Sequence, residues 1–79
     1  MKPVEFEGVN TTYAKNQPEY LPLPAQRIND NTIITCWELT DEEIKVLKKT
    51  KKLWLGVMTF NKPLQPLLPS VSKQDILEA

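Results

Sequence analysis

The chain has 79 residues, with ten basic and ten acidic side chains, seven prolines, two glycines, one cysteine and no histidine. That length allows one domain in which roughly 60–65% of the unfolded surface can be buried, so the core is small. The balanced charge argues against a dedicated nucleic-acid binder. The lone Cys36 excludes an internal disulfide, and with it a stapled secreted mini-protein. The missing histidine removes the commonest general base and metal ligand.

Residues 1–19 are polar and aperiodic, with Val4, Phe6, Val9 and Tyr13 as sparse apolar anchors and loop-like Asn10-Thr11-Thr12 and Lys15-Asn16-Gln17-Pro18. They predict a partly disordered N-terminal segment with no secretory signal. Residues 20–69 then read as a single α+β domain, and residues 70–79 as a flexible tail in which Ser72 and Asp75 could start one helical turn.

Residues 20–28 alternate Leu21, Leu23 and Ala25 with Pro22 and Pro24. Both prolines withdraw donors from the same side of a strand, which predicts an edge strand that pairs through its other side. Asn29-Asp30-Asn31 is a turn cluster. Residues 32–39, T-I-I-T-C-W-E-L, carry the β-branched and aromatic signature of a strand, so the two segments predict a hairpin with a three-residue loop.

Thr40 followed by Glu43 is a capping box, with Leu39 and Ile44 placed as a hydrophobic staple. Asp41, Glu42 and Glu43 complement the positive end of the helix dipole, and Lys48, Lys49, Lys51 and Lys52 the negative end. The helix is expected from about residue 41 to about 49 or 50, with a thin apolar face of Ile44 and Leu47 and Val46 to one side.

Residues 53–60, L-W-L-G-V-M-T-F, are almost wholly apolar and predict a strand buried on both faces. Asn61-Lys62-Pro63 should turn the chain, and Pro63, Pro66 and Pro69 should keep the segment up to Ser70 extended as an arm. The architecture expected is a small mixed three-stranded sheet (hairpin, helix, strand) with the helix on one face. A right-handed crossover would make the last pair parallel.

Little here can carry catalysis. One cysteine cannot build a thiolate zinc site, and Gly8 and Gly56 alone cannot form a phosphate loop. The acidic cluster 41–43 is accounted for by capping. The chain is therefore read as a non-enzyme without cofactor or metal. Lys45, Lys48, Lys49 and Lys52 fall at i, i+3, i+4 and i+7, a candidate anion-binding stripe for a nucleic-acid backbone or an acidic protein, set against a plain solvated face. Pro63-x-x-Pro66-x-x-Pro69 has the spacing of a polyproline ligand but lacks a suitably placed basic residue. Cys36 reads as a small buried hydrophobe. Trp37 and Trp54 read first as core, and otherwise, with Met58 and Phe60, as a candidate interface.

Cys36-Trp37-Glu38-Leu39-Thr40, then Leu53-Trp54-Leu55-Gly56-Val57-Met58-Thr59-Phe60, then Lys62-Pro63-Leu64-Gln65-Pro66 form a recognisable series, preceded by Gln17-Pro18-Glu19-Tyr20-Leu21-Pro22-Leu23-Pro24. Over roughly residues 13–68 the chain resembles a group of short, uncharacterised proteins of tailed bacteriophages and prophages. That group is marked by a C-W-x-L-[ST] step and a tryptophan strand ending T-F-x-K-P-L. The Lys-rich helix end departs from the group, where a more apolar turn is expected. The resemblance implies a phage-related origin and expression in the host cytoplasm. It implies no activity, and no functional residue carries over.

The expected function is protein–protein binding or self-association, because the two apolar strands offer more surface than one short helix covers. Nucleic-acid association through the lysines is the alternative. No membrane contact is expected, since the longest apolar run is far short of the ~20 residues of a span.

Overall fold

The structure is a computed structural model that describes residues 1–16, 21–29 and 31–79. It is α+β, as expected. The elements run β1 Lys2–Val4, β2 Thr11–Tyr13, β3 Leu23–Arg27, β4 Ile33–Ile34, β5 Cys36–Glu38, α1 Asp41–Thr50 and α2 Lys73–Leu77. β2, β3 and β4 form a three-stranded sheet in that order, and β1 pairs with β5 in a second, two-stranded sheet.

The hairpin forms where the turn cluster placed it. Gln26 lies opposite Ile34 and Arg27 opposite Ile33, and the Ile28 N–H donates to the Thr32 carbonyl at 3.1 Å to close the loop. Asn29 Oδ1 accepts from the Asn31 N–H at 2.6 Å, the side-chain turn that favours asparagine there. Asp30, Tyr20 and the loop expected at 17–19 lie outside the described residues.

The first predicted strand is central rather than at the edge. β2 pairs with residues 23–25 of β3, with Thr12 opposite Pro24, whereas β4 pairs only with residues 26 and 27. The prolines do close one side of the chain, but no strand lies against that side at 22–24. A ladder centred on Pro24 takes its donors from Leu23 and Ala25 and loses nothing. Asn10 extends this pairing. Its N–H donates to the Ala25 carbonyl at 3.0 Å, its Nδ2 to the Arg27 carbonyl at 3.0 Å, and its Oδ1 accepts from the Arg27 N–H at 2.9 Å. Residues 2–4 and 11–13, read from sequence as loop with anchors, are thus strands held by non-local partners.

The run 32–39 does not make one strand. It splits at Thr35 into β4, which serves β3, and β5, which serves β1 with Val4 opposite Cys36 and Pro3 opposite Trp37. Residues 53–60 form no strand, so the expected third strand and the parallel pair are both absent among the described residues; every ladder is antiparallel. The third place in the sheet belongs to β2 instead. Nor, among the described residues, does the chain pair 53–60 with the arm that follows it. The Lys62 N–H donates to the Thr59 carbonyl at 3.0 Å, with Phe60 and Asn61 both at positive φ, 53° and 66°. That is the handedness of a two-residue hairpin turn. Continuing the hairpin would set Leu55 opposite Pro66 at a position requiring a donor that proline lacks.

The core is correspondingly thin. Among the described residues the buried apolar side chains are Ala25 at 0% and Ile34 at 4% exposure. α1 matches its predicted bounds and ends at left-handed Lys51, φ 57°, but buries no residue fully. Ser72, where a helical turn was expected to start, is the N-cap of α2, although its side chain makes no capping hydrogen bond. The anchor of α2 is Lys73, whose Nζ donates to the Glu7 carbonyl at 2.8 Å and sits 5.2 Å from the centre of the Phe6 ring. Through this contact the C-terminal segment, read from sequence as a flexible tail, touches the N-terminal loop.

Candidate functional site

The capping box sets α1. The Glu43 N–H donates to Thr40 Oγ1 at 3.2 Å, and the Thr40 N–H donates to Glu43 Oε1 at 2.9 Å. The Met1 ammonium donates to the same oxygen at 2.6 Å. The ammonium first, and the Thr40 N–H after it, hold the Glu43 carboxyl below the usual glutamate range. A depressed folded-state pKa means that this contribution to stability is present at neutral pH, above the unfolded value. It is lost as pH falls through the depressed value. Carboxyl-detected NMR should place the Glu43 midpoint below that of an ordinary glutamate. Glu43→Gln, which keeps an acceptor in the box, should abolish the acid sensitivity contributed by this site. Thr40→Ala should cost about 1 kcal/mol in urea unfolding.

Of the predicted interface residues, Trp37 and Trp54 are brought together. Both line one groove of about 600 Å³, whose lining also includes Leu47, Leu53, Val71, Ile76 and Ile34. Trp37 Nε1 donates to Thr35 Oγ1 at 3.0 Å, so its polar edge is satisfied within its own strand run. A second groove of about 350 Å³, between α1 and residues 52–54, shares Leu47, Leu53 and Trp54 with the first. Met58 and Phe60 line neither groove.

None of the four is core. Trp37 is 45% exposed, Trp54 87%, Met58 71% and Phe60 72%. Cys36, expected to be buried, is exposed as well. Both corrections have one cause: β5 pairs with β1 alone, and the strand expected to cover it does not form. Leu64, Leu67 and Leu68 in the proline-rich arm, and Val71 just after it, are also exposed. Between Lys52 and Lys73 the chain carries one charge, Lys62.

The lysine stripe is shortened. Lys45, Lys48 and Lys49 lie exposed on α1, but Lys52 follows the left-handed Lys51 and leaves the helical repeat. Among the described residues none of the four makes an ion pair. Nor do the described residues contain a cluster of three metal-ligating side chains, and no described helix is long and apolar enough to cross a membrane.

Sequence reading missed the Asn10 contacts, the Lys73 anchor and the role of Gly8. Gly8 takes φ 106°, and the signal for it was available: a single glycine between Glu7 and Val9 in a chain with only one other.

The whole chain exposes 7187 Å². A folded monomer of 9.1 kDa is expected to expose about 4,900 Å². The radius of gyration, 13.9 Å, likewise exceeds the roughly 12 Å of a compact chain of this length.

No family model matches the chain, and no curated protein or solved structure matches it.

Proposed function

We propose that the protein is a binding module whose working surface is the charge-poor apolar stretch 53–60 together with the tryptophan groove. A doubly apolar third strand does not form and supplies no support. The reading rests on a different observation: a surplus of about 2,300 Å² of accessible surface, with Trp54, Met58 and Phe60 largely in solvent. Large exposed apolar patches are rare on soluble monomers, and tryptophan is over-represented at the centres of interfaces. The sequence series from Cys36 to Pro66 supports placing the protein among small accessory proteins of tailed phages or prophages, acting in the host cytoplasm.

The test is the triple variant Trp54→Ser, Met58→Ser, Phe60→Asn. These side chains are exposed, so helix content should persist. Binding of an apolar fluorescent dye should fall several-fold. Unchanged dye binding would remove the reading.

The exposed lysines, which make no ion pair among the described residues, favour a second reading, weak association with a polyanion. It requires a mobility shift of DNA or RNA at low salt that disappears when Lys45, Lys48, Lys49 and Lys52 become glutamine. The absence of arginine among them counts against it.

A further inference from the structure

We infer that the occupant of stretch 53–60 is the same stretch of a second copy, the two paired antiparallel across a two-fold axis near Gly56 and Val57. This rests on the binding-module reading and names its partner.

The backbone is the first argument. Among the described residues, no hydrogen bond is made by the backbone of residues 53–58. Six consecutive exposed residues, five of them apolar and including Trp54 and Val57, therefore leave their donors and acceptors to solvent, the condition under which a strand recruits another. Within the chain, the arm at 63–69 cannot serve, because Pro66 removes a needed donor and the turn at Phe60-Asn61 cannot zip further. A two-fold antiparallel copy supplies acceptors and donors in the same number and order.

Area is the second argument. A standard interface takes about 800 Å² from each partner, and obligate dimers take more. The whole-chain surplus of about 2,300 Å² exceeds what a standard interface takes from one partner. A two-stranded ladder alone is marginal, so Trp54, Leu55, Met58 and Phe60 must supply most of the stability by burial.

Charge is the third. Residues 53–61 carry none, so pairing sets no like charges face to face within the ladder, and the whole chain is neutral. At each end, Lys51 and Lys52 of one copy approach Lys62 of the other. Salt screens that repulsion and should tighten the pair. A contact led by lysines on a polyanion would weaken instead.

The structure also supplies a clean probe. A side-chain carbon at Gly56 would meet nothing within 4 Å, and Gly56 lacks a positive φ, so substitution there leaves the single chain intact. In the full chain carrying Cys36→Ser, whichever of Gly56→Cys and Val57→Cys lies on the axis faces its own copy directly, on the same face of the ladder and within disulfide reach. Leu53→Cys places them more than ~20 Å apart.

Light scattering should give twice the 9.1 kDa chain mass, more fully at higher salt. Mild oxidation should cross-link the 56 or 57 variant into a dimer at least ten times more than the 53 variant. A dimer with equal cross-linking at all three positions overturns the strand pairing and leaves the binding module standing. A monomer at every concentration that still binds apolar dye overturns self-pairing alone. A monomer that binds no dye overturns both.

Discussion

Ile34→Ala is expected to lower the unfolding free energy by about 2–4 kcal/mol, the cost of truncating a buried isoleucine. Ile34 is one of two buried apolar side chains among the described residues. It sits opposite Gln26 in the short β3–β4 ladder and in the lining of the tryptophan groove, so it joins the hairpin to the rest of the molecule. A chain of this length has about 4–12 kcal/mol of total stability, and a thin core places it toward the lower end. The loss would therefore be a large share of the whole. Urea unfolding should show an earlier midpoint, with Val46→Ala as a control on the exposed part of α1. A shift for Ile34→Ala no larger than the control's would mean that the hairpin is not held from this side chain.

Legibility followed the range of the interactions. α1 was readable to within a residue because its cap, its dipole charges and its terminus are all written in residues 40–51. The hairpin was readable because Asn29 and Asn31 fix its loop locally. β1 and β2 were not, since three residues such as Lys-Pro-Val or Thr-Thr-Tyr carry no measurable period and form only against Cys36–Glu38 and Leu23–Ala25. The edge assignment of Pro22 and Pro24 was right about which side they close and wrong about what lies there. Residues 53–60 show the sharpest limit. An apolar run reports that a segment seeks burial, not that the chain owns a partner for it. Trp37 and Trp54 were both singled out, yet the sequence could not place them on one groove, because that proximity depends on α1 turning the chain between them at Lys51.

The two glycines should respond oppositely to alanine. Gly56→Ala meets open space at an ordinary backbone angle, and should be neutral or stabilise by up to about 1 kcal/mol by restricting the unfolded chain. Gly8→Ala should destabilise by about 1–3 kcal/mol. Two causes compete at Gly8. The added carbon would lie 2.5 Å from Gln26 Oε1, 2.8 Å from its Cδ and 3.0 Å from Lys73 Nζ, and φ is 106°, outside the range that L residues adopt readily. The clash with Gln26 is inexpensive to relieve. It involves the end of a flexible side chain, and Oε1 has no hydrogen-bond partner to give up among the described residues. Lys73 can also withdraw, but only by loosening its bond to the Glu7 carbonyl, the anchor of α2. Backbone strain therefore dominates. The prediction separates from a purely steric one in a double-mutant cycle. If the clash with Gln26 carried the cost, Gln26→Ala would rescue Gly8→Ala. With strain in control, the two losses add within about 0.5 kcal/mol in urea unfolding.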